Sequence, residues 1–183
     1  VVNGATLTQD GHINATSISL DSGTVLKLNG VTESAVISGA GAVETYGTVV
    51  LAAANSMTGG ITVKSGSSLS TSVEPVWENP TTKAICDTGF GPYNKNSAYS
   101  AQSRVVVEDG GCVDINNIAN KDTGVALTIS GKGILNGGVY SGAVKYSGSN
   151  EIGNNSRQIS SLSLAADAMV DVGLGCGLVH SGH

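Results

Sequence analysis

The chain holds fourteen Asp and Glu, nine Lys and Arg, three His and three Cys in 183 residues. Their spacing decides what chemistry they could do. Glycan hydrolysis needs two carboxylates set across one bond. The only adjacent acidic pair is Glu108-Asp109, in a turn signal. Asp114 and Asp171 occupy equivalent places, each four residues beyond a turn residue, and flank apolar neighbours. They read as outward, solvated strand positions. Two arginines, Arg104 and Arg157, are a poor supply for gripping a uronate. His180 and His183 have a metal-like spacing, but no Cys or carboxylate stands near, so they read as an ordinary terminus. Gly173-Leu-Gly-Cys-Gly177 precedes no helical pattern, so it makes no phosphate cradle. No nucleophile motif frames any serine. These residues predict no catalysis, no metal and no cofactor.

One stretch stands apart. Residues 73–103 contain all three prolines and four of the seven aromatics, Trp77, Phe90, Tyr93 and Tyr99. Charges lie among them at Glu74, Glu78, Lys83, Asp87 and Lys95. Proline cannot donate to a strand ladder, so this segment reads as a long irregular excursion from whatever surrounds it. Aromatic faces give large contact area with few rotors to freeze. Trp77, Phe90, Tyr93 and Tyr99 are therefore the candidate ligand-binding side chains, for sugar or protein contact. The plainer reading makes them a satellite core against the side of the fold.

The elements that would position these residues follow from a repeat. Ile18, Leu20, Gly23, Leu26 and Leu28 share a pattern with Ile61, Val63, Gly66, Leu69 and Thr71. Val105, Val107, Gly110, Val113 and Ile115 repeat it, as do Leu162, Leu164, Asp167, Val170 and Val172. The starts lie 43, 44 and 57 residues apart. Ile37-Ser-Gly-Ala-Gly41 also returns as Ile129-Ser-Gly-Lys-Gly133. Alternation with period two means strands with one buried face, and Gly or Asp between them marks a tight turn. Short strands in a repeat of this length predict an all-β chain, a parallel β-helix or solenoid of roughly 20-residue coils. The apolar members of the pattern should point inward. A β-sandwich also turns often, but it requires no such repeat.

Composition agrees. Gly is 26 of 183, charged residues are 13% and aromatics 4%, which suits a narrow interior of small side chains and not a helical bundle. No apolar run approaches the roughly 18 residues of a membrane helix. A net charge of −5 with scattered basic residues argues against nucleic acid. Three cysteines leave at least one without a partner in the chain. Cys86 with Cys112 is the single pair that the layout permits, and no essential disulfide is expected.

The stretch from Gly39 to Leu69 resembles the autotransporter-associated β-strand repeat. Gly47-Thr48, Leu51, Asn55, Thr58-Gly59-Gly60, Val63, Gly66 and Leu69 stand at that repeat's positions. Val105 to Asp114 and Leu162 to Val172 also look like passenger-domain coils. The resemblance implies a right-handed parallel β-helix from a secreted bacterial surface protein. On that basis residues 1–183 form a single segment of a longer chain. Its expected role is structural or adhesive, with glycans or other surface proteins as partners. A carbohydrate-binding or lyase-like β-helix using residues 73–103 is the alternative. A self-assembling extracellular fibre subunit, joined end to end through open solenoid ends, is the further one.

Overall fold

Val25-Leu-Lys-Leu-Asn29 shows in five residues how the chain makes strands. Leu26 and Leu28 are wholly buried, and Lys27 between them is not. That two-residue period belongs to an extended strand with one face inward. The computed structural model describes residues 4–11, 13–73, 76–79, 85–94, 104–115, 125–147 and 159–172. Among these residues there are strands and turns and no helix.

Seven strands form the largest sheet: β1 (Thr6–Gln9), β3 (Val25–Asn29), β6 (Ala42–Tyr46), β8 (Ile61–Val63), β13 (Arg104–Val107), β15 (Val125–Gly131) and β19 (Ile159–Ala168). They lie side by side in chain order, and each neighbouring pair is parallel. The second sheet holds six: β4 (Thr32–Glu33), β7 (Thr48–Leu51), β9 (Ser68–Thr71), β14 (Cys112–Asp114), β18 (Val144–Tyr146) and β20 (Val170–Val172). It too is parallel and in chain order. A short parallel pair, β2 (Ser17–Leu20) and β5 (Val36–Gly39), is a third surface. Ser56 and Thr58 extend it by donating their N–H groups to the Ile37 and Gly39 carbonyls. Antiparallel strands occur, among the described residues, in two places. One is β10 (Val76–Trp77), β11 (Ile85–Thr88) and β12 (Gly91–Asn94). The other is the hairpin of β16 (Leu135–Asn136) and β17 (Val139–Tyr140).

Parallel register stacks like on like. In the large sheet, Leu7, Leu26, Val43, Ile61, Val105, Leu127 and Leu162 follow one another across the strands. In the second sheet the matching column is Val49, Leu69, Val113, Val144 and Val170. The two columns contribute to one continuous hydrophobic cluster. Slipping any strand by one residue would turn its apolar set outward, so burial holds the register.

Of the residues expected inside, Leu20, Leu26, Ile61, Val63, Leu69, Val105, Val107, Val113 and Ile115 are buried, while Ile18 and Val170 are half-buried. Leu162 and Leu164 depart from the expectation, at 41% and 67% exposed. They continue the columns of buried Leu127 and Ile129. However, among the described residues β19 is the last strand of its sheet, with a neighbouring strand on one side. Leu7, on the opposite edge strand β1, is 48% exposed for the same reason.

The repeat also needs correcting in its phase. The copy at Ile18–Leu28 joins β2 to β3, whereas the other three join the large sheet to the second one. What the copies share is a corner, not a place in the period. Gly23, Gly66 and Gly110 sit at φ 80°, 77° and 81°, a left-handed conformation that side chains resist. Ile37–Gly41 and Ile129–Gly133 likewise mark different corners. The first leads from β5 to β6 and the second from β15 to the β16–β17 hairpin. Strands of the large sheet begin 19, 17 and 19 residues apart from β1 to β8. The 44-residue step from Ile61 to Val105 is therefore one pass lengthened by the excursion, not two passes.

Candidate functional site

The excursion meets the rest of the fold through its tip. Thr88 and Gly91 pair across the β11–β12 turn, leaving Gly89 and Phe90 as its two-residue loop. Thr88 Oγ1 donates to the Gly91 carbonyl at 2.7 Å and accepts from the Phe90 N–H at 3.1 Å. Phe90 is 2% exposed and belongs to the main hydrophobic cluster. Gly89 lies so close to β9 that a Cβ there would fall 1.8 Å from Thr71 Oγ1. Buried Asn55 completes the attachment. Its N–H donates to the Thr88 carbonyl at 2.7 Å, and its Nδ2 to the Gly89 carbonyl at 2.8 Å. Its Oδ1 accepts from the Ile37 N–H at 2.8 Å. One side chain thus ties the β5 strand to the excursion.

Of the four aromatics expected to form a site, Phe90 is a core side chain. The pairing sets Trp77, Cys86 and Tyr93 in one cross-strand row. Cys86, at its centre, is buried, and Val76 beside it is exposed. For Trp77 and Tyr93 the backbone alone is described, and Tyr99 lies outside the described residues. So do Glu74, Lys83, Lys95, Cys176, His180 and His183. Asp87 is described, in β11, and its carboxyl is pushed above its ordinary value by burial first and by nearby Glu78 second.

A second group gathers on the outward side of the large sheet, on strands whose alternate residues are buried. Lys27 stands opposite Glu44 in register, with Nζ 3.7 Å from Oε2. The Tyr46 hydroxyl donates to the same Glu44 oxygen at 2.8 Å, and Lys27 Nζ lies 5.9 Å from the Tyr46 ring centre. Lys64 follows β8 and donates to Glu108 Oε1, just beyond β13. At the start of this row Asn29 donates to Asp10 Oδ1 at 2.9 Å. The Glu44 hydrogen bond holds the Tyr46 hydroxyl above its ordinary value, and the Glu108 hydrogen bond does the same for Lys64. These residues are far apart in sequence, and only the strand register brings them together.

The remaining candidates separate. Asp114 was expected in solvent, yet it is buried. Lys145 Nζ approaches its Oδ2 at 3.4 Å, and the Ser147 N–H donates to its Oδ1 at 3.2 Å. Its companion Asp171 pairs with Lys145 in register and is exposed. Cys86 and Cys112 are buried and not bonded to one another, and burial pushes the Cys112 thiol up. Inside the fold, Glu33 is 1% exposed, with Oε1 accepting from the Ala35 N–H at 2.6 Å. The alternation Val31, Glu33, Ala35, Ile37 was the signal that would have placed it there. Among the described residues no three His, Cys, Asp or Glu are grouped to hold a metal ion, and no helix is long and apolar enough to cross a membrane.

Comparison of the chain with family models, with curated proteins and with solved structures finds no match.

Proposed function

We propose that the protein is a structural or adhesive segment of a secreted bacterial surface protein, built as a right-handed parallel β-helix and without catalytic activity. One observation carries the reading. Two parallel sheets each run in chain order, and residues a pass apart stack in register with like on like. A chain that returns to the same sheets in the same order is extended by adding passes, which suits a stalk or a display surface. The resemblance of Gly39–Leu69 to the autotransporter-associated repeat supports the surface location. On this reading the excursion is a brace, with Phe90 and Asn55 fastening its tip.

The test has two arms. Assays of the intact protein against pectate, xylan, alginate and chitin are expected to show no turnover, and turnover of any of them refutes the non-catalytic role. An experimental structure is expected to show right-handed winding through both sheets; left-handed or antiparallel winding refutes the architecture.

A further inference from the structure

We propose that the outward row of the large sheet formed by Asn29, Tyr46, Lys64 and Glu108, with Lys27 and Glu44 beside it, binds an extended, uncharged glycan. The proposal rests on the described sheet and stands whether or not the chain belongs to a surface protein. Successive strands lie about 4.8 Å apart, close to the length of one sugar residue in an extended chain. A glycan laid across the strands would therefore meet one row residue per sugar. The side chains are within reach, since those of Lys27, Glu44, Lys64 and Glu108 are 27 to 39% exposed.

The charges decide the class of ligand. Two lysines face two glutamates, and each is paired with a neighbour. A polyanion would gain at the lysines and lose at the glutamates, and a polycation the reverse. A hydroxyl both donates and accepts, so it suits the whole row. The existing bonds leave capacity for it. Glu108 engages Lys64 through Oε1, which leaves Oε2, and an ammonium has three N–H donors. Glu44 receives both Tyr46 and Lys27 at Oε2, which leaves Oε1. Tyr46 adds an aromatic ring whose position is set by its hydroxyl bond to Glu44. Sugar C–H faces pack well on such rings.

The experiment is calorimetric titration of the intact protein with hexaoses of β-1,4-glucan, xylan and mannan, and with polygalacturonate and heparin. At least one neutral hexaose is expected to bind, with an affinity that added salt leaves unchanged. Tyr46→Ala and Glu108→Gln should each weaken it by about tenfold, while circular dichroism and melting stay those of the parent. Trp77→Ala should leave it intact. No binding by any neutral hexaose overturns the proposal. So does binding of the polyanions alone with steep salt dependence, or binding lost in Trp77→Ala and kept in Tyr46→Ala. If Tyr46→Ala fails to fold, Lys64→Met and Glu108→Gln decide in its place.

Discussion

At the scale of single residues, buried polar groups carry more of the structure than their number suggests. Asn55 is the clearest case, since its amide serves a donor from β5 and an acceptor in the excursion. Asn55→Ala would orphan the Ile37 N–H and the Gly89 carbonyl together, at about 1–3 kcal/mol each. Chemical denaturation is expected to show a loss of about 2–6 kcal/mol, with proteolysis within 73–103 accelerated. An unchanged midpoint would show that the tip is held without the Asn55 side chain. Asp87 makes the opposite case. Its folded-state pKa is raised, so the folded protein holds the proton more tightly than the unfolded chain does. The stability it contributes is fully present below its ordinary 3.8. That contribution is lost as pH rises through the raised value, so at neutral pH the carboxylate works against the fold. Asp87→Asn should therefore raise the midpoint at neutral pH, by less than about 1 kcal/mol because the group is only partly buried and solvent screens its charge. The gain should vanish near about pH 3. A gain that persists in acid would assign the effect to something other than the charge.

At the scale of elements, the strands were legible and their assignment to sheets was not. Leu26, Ile61, Val105 and their partners announce half-buried strands because alternation is a local property. Gly66 and Gly110 announce corners because a left-handed backbone is local too. The identity of each corner is not local, so the copy at Ile18–Leu28 matched the others while joining different sheets. The row of Lys27, Glu44, Tyr46, Lys64 and Glu108 was hidden for the same reason, since register is a property of pairs of strands. The excursion was legible from its prolines, but not the direction in which it attaches. From sequence Phe90 reads either as a contact aromatic or as part of a satellite core, and it is the placement of Gly89 against Thr71 that puts it in the main core. That contact yields a test at this scale. Gly89→Ala places a methyl where Thr71 already lies, so either the turn lifts or β9 shifts. A loss of about 1–3 kcal/mol is expected, with the amides of β11 and β12 exchanging faster as the tip lifts. Full stability in Gly89→Ala would mean that the tip does not sit against β9.

At the scale of the whole molecule, an in-order parallel sheet is covered unevenly. An interior strand has a neighbour above and below, while an edge strand has one. The inward side chain of an edge strand therefore keeps its direction and loses half its cover. Leu127 and Leu162 show this directly. They share one column and one side of the sheet, but Leu127 is buried and Leu162 is exposed. Stability should fall away toward the sheet's edges, because each pass draws its burial from the passes beside it. Paired substitutions measure the gradient. Leu127→Ala is expected to cost about 2–5 kcal/mol, as for other buried leucines. Leu164→Ala, on the edge strand, should stay within about 0.5 kcal/mol of the parent. Hydrogen exchange should agree, with amides of β8, β13 and β15 slowest and those of β1 and β19 fastest. Equal costs for the two leucines would mean that β19 is covered as fully as β15 in solution, and that the sheet has no edge there.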